Sequence, residues 1–259
     1  MAMSRRQVLV GGIALCTPTW GFTDSLDWEG LAHEDTQYPV IPSELDKFSN
    51  MDSLNSEVID GYAKFGTKPA TSGEEKLAQQ VLNGIPRNVT PMEIALYFLN
   101  VGMGKYGEEL KPYVTAWPIR WNPVIVDFFT ETNTKPSGDT TAWCAAFVNF
   151  CLARAAKDKP LPKSSQGPTK SAASRSFREW SALTNTPTPG DIVVFKNVES
   201  PGHGHVGFFV ADKGSSILVL GGNQFEGYPR RHTVNRKLIA KDGRILKFHS
   251  FRTDPQLHV

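Results

Sequence analysis

Asp139-Thr140-Thr141-Ala142-Trp143-Cys144-Ala145-Ala146-Phe147-Val148-Asn149-Phe150-Cys151-Leu152-Ala153-Arg154-Ala155 is the stretch on which the fold turns. Cys144, Phe147, Val148, Cys151, Leu152 and Ala155 recur at the i, i+3, i+4, i+7, i+8 and i+11 spacing of one apolar helix stripe. Asp139, Thr140 or Thr141 is expected to cap that helix, which puts Cys144 in its first turn and facing inward. Cys151 lies two turns deeper on the same stripe, about 10 Å along the axis. That is too far for a disulfide, so both thiols are expected to be free.

Upstream, Thr90-Pro91-Met92-Glu93 reads as a helix start. Thr90 can cap, Pro91 suits the first helical position and Glu93 can close a capping box. Ile94, Phe98 and Val101 share one face, and Gly102 and Gly104 end the helix. Asn122-Pro123 repeats the signal ahead of a short buried helix, and residues 74–82 fit another. Downstream, a polar loop from Lys163 to Lys170 leads to a short amphipathic stretch around Phe177 and Trp180. The turn Pro189-Gly190 then opens a run of strands, expected at 191–195, 205–211, 217–220 and 245–251. Helices followed by an antiparallel meander predict an α+β domain, with N-terminal helices packed on the sheet.

At 259 residues, with 40% hydrophobic and 21% charged side chains, the chain is globular in composition, which excludes a wholly disordered, collagen-like or coiled-coil protein. Three segments are expected. Residues 1–22 contain Ser4-Arg5-Arg6-Gln7 followed by a short, weakly apolar run, and resemble a twin-arginine export signal. That run is far below the roughly 20 residues of a spanning helix, so no integral membrane segment is expected once the signal is removed. Cys16 follows Leu15, where a lipid-attachment site prefers a small residue. Residues 23–90 form an acidic, partly ordered extension with 12 acidic and 5 basic side chains. Residues 91–259 form the main domain, with 14 acidic and 21 basic side chains. The formal net charge of +2 is too small to indicate a nucleic-acid partner.

The chemistry centres on Cys144. A thiol in a first helical turn sits near free backbone N–H groups and the positive end of the helix dipole, which favours thiolate. The N–H of the same residue is placed to receive charge that develops on a carbonyl oxygen under attack. His205, at the mouth of a strand, is the expected base, and Asn223, at the end of the next strand, the expected acceptor that orients it. His203 competes with His205, because residues two apart in extended chain point to the same side. No further His or Cys stands at zinc-ligand spacing from this pair, and Gly221-Gly222 is not followed by the helix and Lys of a phosphate loop, so neither metal nor cofactor is expected.

Four blocks occur in order: Ala142-Trp143-Cys144-Ala145-Ala146-Phe147-Val148-Asn149, Pro189-Gly190-Asp191-Ile192-Val193-Val194-Phe195, Gly204-His205-Val206-Gly207 and Leu220-Gly221-Gly222-Asn223-Gln224. Together they resemble the CHAP and NlpC-like branch of the papain-like cysteine peptidases, over roughly residues 91–252. The resemblance implies a papain-like fold and cleavage of amide bonds in peptidoglycan, with Cys144 as nucleophile, His205 as base and Asn223 as third residue. CHAP domains often carry an acidic residue two positions before the equivalent of Asn223, and here Gly221 stands there. The expected protein is therefore a periplasmic or secreted cysteine hydrolase of the cell wall. The alternatives are a non-catalytic wall-binding module and an amidohydrolase with a non-wall substrate.

Overall fold

The computed structural model describes Gly66 and residues 68–136, 138–139, 141–226 and 231–259. The expected signal over 1–22, and the acidic stretch as far as residue 65, lie outside the described residues.

Two helices begin with the same reciprocal device. In α1 (Ser72–Asn83) the Thr71 hydroxyl accepts from the Glu74 N–H, while the Glu74 carboxylate accepts from the Thr71 N–H at 2.6 Å. In α2 (Pro91–Gly102) Thr90 and Glu93 repeat it with Pro91 in the first helical position, as the sequence predicts. The two helices share a core. Ala78, Val81 and Ile85 are buried in the same cluster as α2, and the Tyr97 hydroxyl donates to the Val81 carbonyl at 2.6 Å. The core therefore begins ahead of residue 91, at α1.

In α3 (Pro123–Phe128) the Asn122 side chain accepts from the Val124 N–H at 2.9 Å. Beyond it, α4 (Cys144–Asp158) runs through the middle of the molecule. Its stripe is buried as expected, but so are Ala145, Ala146, Asn149 and Phe150 on its other sides. The reason is layering: α2 and α3 cover one side of α4, and the sheet covers the other. Phe98 of α2 meets Phe128, Phe147 and Phe150 edge-on, with ring centroids 5.1, 5.9 and 6.0 Å away. Edge-to-face packing of this kind adds to the area buried.

The sheet contains β1 (Ala182–Thr184), β2 (Ile192–Asn197), β3 (Gly204–Asp212), β4 (Ser216–Glu226), β5 (Arg231–Ala240) and β6 (Leu246–Thr253). They are ordered β1-β6-β2-β3-β4-β5, with every pairing antiparallel. Alternation gives each face its own core. Ile192, Val194, Val206, Phe208, Val210, Leu218 and Leu220 join the helices. Val193, Phe195, Phe209, Ile217, Val219, Leu246 and Phe251 form a second cluster.

Four strands fall where the residue pattern predicts, and two do not follow from it. β5 carries Arg231, His232, Arg236 and Lys237, so it lacks apolar alternation, and it is held by pairing with β4 and by the segment 114–116 along its edge. Ala116 N–H donates to the His232 carbonyl at 2.8 Å, and the Thr233 hydroxyl donates to the Val114 carbonyl at 3.0 Å. β4 outruns its expected end by six residues. Gly221 pairs with Asn235 and Gln224 with Thr233, so Gly222 and Asn223 together stand opposite Val234 alone. This is a β-bulge, and Asn223 takes φ +62° to make it.

Candidate active site

Cys144 is the first residue of α4 and 1% exposed, and neither it nor Cys151 is in a disulfide. The expected cap is not made by Asp139. The residue ahead of the helix is Trp143, and its side chain makes no cap bond. The Asp139 carboxylate is instead committed upstream, where Oδ2 accepts from the Trp117 and Asn122 N–H groups, both at 2.8 Å. It thus ties the strand of chain that enters α4 to the chain that enters α3. Burial lifts the Asp139 pKa to about 6, against the pull of those two N–H groups.

Trp143 sets the height of the helix start above the sheet. Its indole is fully buried against Gly222 in the bulge of β4, and a Cβ built at Gly222 would overlap the ring and come within 2.9 Å of the Phe147 Cβ. No other residue fits there without moving the first turn of α4.

His205 is the second residue of β3, opposite Phe195 of β2 and 6% exposed. The hairpin before it is fixed from two sides. Asn197 Oδ1 accepts from the N–H groups of Glu199 and Ser200, and the Arg178 guanidinium donates to the carbonyls of Pro201 and His203. Gly204 is required where it stands, because a Cβ would overlap the Phe195 carbonyl. His203 lies in this hairpin loop, outside β3. Burial is the main cause that lowers the His205 pKa to about 4, with Lys237 acting in the same direction and the neighbouring Gln224 side chain opposing both. At neutral pH the imidazole is uncharged and able to accept a proton.

Asn223, the expected orienting residue, is buried at the bulge, and its Oδ1 has no partner among the described residues. Gln224 was not expected. The bulge turns it onto the face of Gly221 and Asn235, beside the His205 ring. Its Nε2 donates to the Asn235 carbonyl at 2.7 Å, and lies 3.1 Å from both the Gly221 carbonyl and Asn235 Oδ1. Alternation alone sends residues 223 and 224 to opposite faces, and the paired glycines just before them are the one sequence sign that the alternation slips here.

The arrangement brings two elements to one short piece of β4. The start of α4 rests on Gly222 through Trp143, and the His205 ring rests against Gly221 with its Nε2 within 3.5 Å of where a Cβ would be. Neighbouring strand residues point to opposite faces, so Gly222 meets Trp143 on the helix side of β4 while Gly221 meets His205 on the side of Phe195 and Val219. A helix-terminal thiol and a buried neutral imidazole are the residue types of nucleophilic acyl transfer. Among the described residues, no three His, Cys, Asp or Glu side chains converge to hold a metal ion, and no helix is long and apolar enough to cross a membrane.

Residues 136–223 match the family described as CHAP domain, a domain of the papain-like cysteine peptidase and amidase class. The matched stretch holds Cys144 and His205, and it stops one residue short of Gln224. CHAP domains are typically cysteine hydrolases of the peptidoglycan-hydrolase type. No curated protein and no solved structure matches the chain.

Proposed function

We propose that this chain is an exported cysteine hydrolase with a papain-like fold that cleaves amide bonds in peptidoglycan, as an endopeptidase or amidase. The observation that carries the reading is the CHAP match across a stretch whose cysteine opens a buried helix and whose histidine is buried and uncharged.

The residues divide the work simply. His205 takes the thiol proton as Cys144 Sγ attacks the scissile carbonyl, and negative charge moves to the carbonyl oxygen. The N-terminal end of α4, with its positive dipole end, faces that charge. Collapse of the intermediate breaks the C–N bond; the amine leaves with the proton from His205, and a thioester remains on Cys144. Water then attacks the thioester, with His205 accepting its proton, and the acid product departs as the thiol is restored. The twin-arginine-like segment would deliver the enzyme to the periplasm or beyond, where the substrate is found.

The test is digestion of purified sacculi with residues 23–259, reading the released fragments by mass spectrometry. Soluble muropeptides with new amine and carboxyl ends are expected from the parent and not from Cys144→Ala or His205→Ala, whereas His203→Ala retains most activity. Release by Cys144→Ala at the parental rate would overturn the reading.

A further inference from the structure

We propose that Gln224, and not Asn223, holds the His205 imidazole, accepting its Nε2–H and leaving Nδ1 as the proton acceptor for the Cys144 thiol. The proposal rests on the reading of His205 as the base and assigns the residue that positions it.

The argument begins with the Gln224 amide. Its nitrogen is surrounded by three oxygens, the carbonyls of Gly221 and Asn235 and the Oδ1 of Asn235. An NH2 group, with two N–H donors, is attracted to these oxygens where an amide oxygen would be repelled, which fixes the flip of the amide and sends Oε1 the other way. That oxygen is buried and has no partner among the described residues. The Nε2 of His205 is in the same condition. Both atoms belong to groups at one glycine: the point where Gly221 lacks a Cβ lies 3.4 Å from Gln224 Cδ and 3.5 Å from His205 Nε2. A lone buried acceptor and a lone buried nitrogen on such close groups satisfy each other as Nε2–H···Oε1, since leaving both unpaired carries a desolvation penalty for each. The direction in which Gln224 acts on the His205 pKa, upward against burial, is that of an acceptor for the ring proton.

Three consequences follow for the ring. With Nε2 protonated, the neutral imidazole has its lone pair on Nδ1. The ring angle is held through an amide that is itself held by two groups of β5 and one of β4. Finally, the glycine at 221 leaves the space in which the two side chains meet. An acidic residue there would lie beside the ring itself, whereas in this chain a neutral amide reaches the ring from three positions further along.

The full chain, labelled with 15N at histidine, tests this directly through the tautomer of His205 at pH 7. Long-range 15N–1H correlation distinguishes Nε2–H from Nδ1–H, with the His205 signals identified as those missing from His205→Gln. The parent is expected to show Nε2–H, and Asn223→Ala to keep it. Gln224→Met, nearly the same shape without donor or acceptor, is expected to give a mixed or exchanging ring and a kcat lowered by about 10- to 100-fold, with KM within about twofold. An Nδ1–H ring in the parent overturns the proposal even if the Met variant fails to fold. So does a Gln224→Met ring identical to the parent's, or a ring released by Asn223→Ala and not by Gln224→Met. Because the tautomer is read without substrate, it decides the role of Gln224 separately from whether the parent digests sacculi.

Discussion

Trp143 and Gly222 touch so closely that one methyl group on the glycine would collide with the indole. The residue before Cys144 is thereby seated on the bulge of β4, and the height of the helix start is set by the absence of a side chain.

Gly222→Ala is expected to push the indole and the first turn of α4 outward. The cost should be that of overpacking a dense core, about 1–3 kcal/mol, visible as a lower midpoint in urea. Activity on sacculi should fall by at least about tenfold at temperatures where the variant is still folded, because a shift near 1 Å misplaces the thiol. Parental activity in a folded Gly222→Ala protein would show that Trp143 does not set the position of Cys144.

Cys144 and Cys151 should separate function from stability. Cys144→Ala is expected to abolish hydrolysis with a near-parental melting midpoint, because little apolar volume is lost at the end of the helix. Cys151 is fully buried, and burial pushes its thiol pKa well above the ordinary range, so it stays protonated and unreactive. Cys151→Ala should keep most turnover and lose about 1–2 kcal/mol, read from denaturant melts.

Asp139 should leave a signature in the pH dependence of stability. Its folded pKa, about 6, lies above the ordinary value near 4, so between these pH values the folded chain holds a proton that the unfolded chain has released. The carboxyl therefore opposes folding increasingly as pH rises through that window, and fully above pH 6. The whole effect is on the order of 2–3 kcal/mol. Asp139→Asn can still accept from Trp117 and Asn122 through its amide oxygen and cannot ionise. The stability of the variant relative to the parent should climb between pH 4 and 6 and then level off. A difference that does not change with pH would contradict the raised pKa, whatever its constant offset.

Removal of α1 should unfold the domain. A chain of residues 91–259 loses Ala78, Val81 and Ile85 from the core and leaves the Tyr97 hydroxyl without its acceptor. Burial of these side chains is worth several kcal/mol, comparable to the whole stability of an ordinary domain. Residues 66–259 should melt cooperatively and residues 91–259 should not, as followed by near-ultraviolet circular dichroism.

Local hydrogen-bonding signals were the most legible part of the sequence. The Thr90–Glu93 capping box and the Asn122 cap sit where the residues announce them, because each is closed by side chains within three positions. The apolar stripe of α4 was equally plain, since its period is a property of the helix itself. Asp139 misled because its partners, Trp117 and Asn122, are 17 or more residues away and outcompete the nearby helix end. β5 was hidden by its charges, since its place depends on pairing with β4 and on cover from 114–116 rather than on apolar alternation. Gln224 was missed for a geometric reason: a one-residue bulge moves every later side chain of β4 to the other face, and no pattern of residue types fixes where the slip occurs.

The burial of α4 on all sides from Cys144 to Ala153 has a kinetic meaning. A helix enclosed by α2, α3 and the sheet can expose its amides to water only when most of the domain opens, so they should be among the slowest in the molecule to exchange with deuterium. The thiol at its head thus rides on the stiffest part of the chain. Adaptation to different scissile bonds then falls to the surface loops, such as the hairpin between β2 and β3 that Arg178 clamps, which can be rebuilt without disturbing the helix that carries the sulfur.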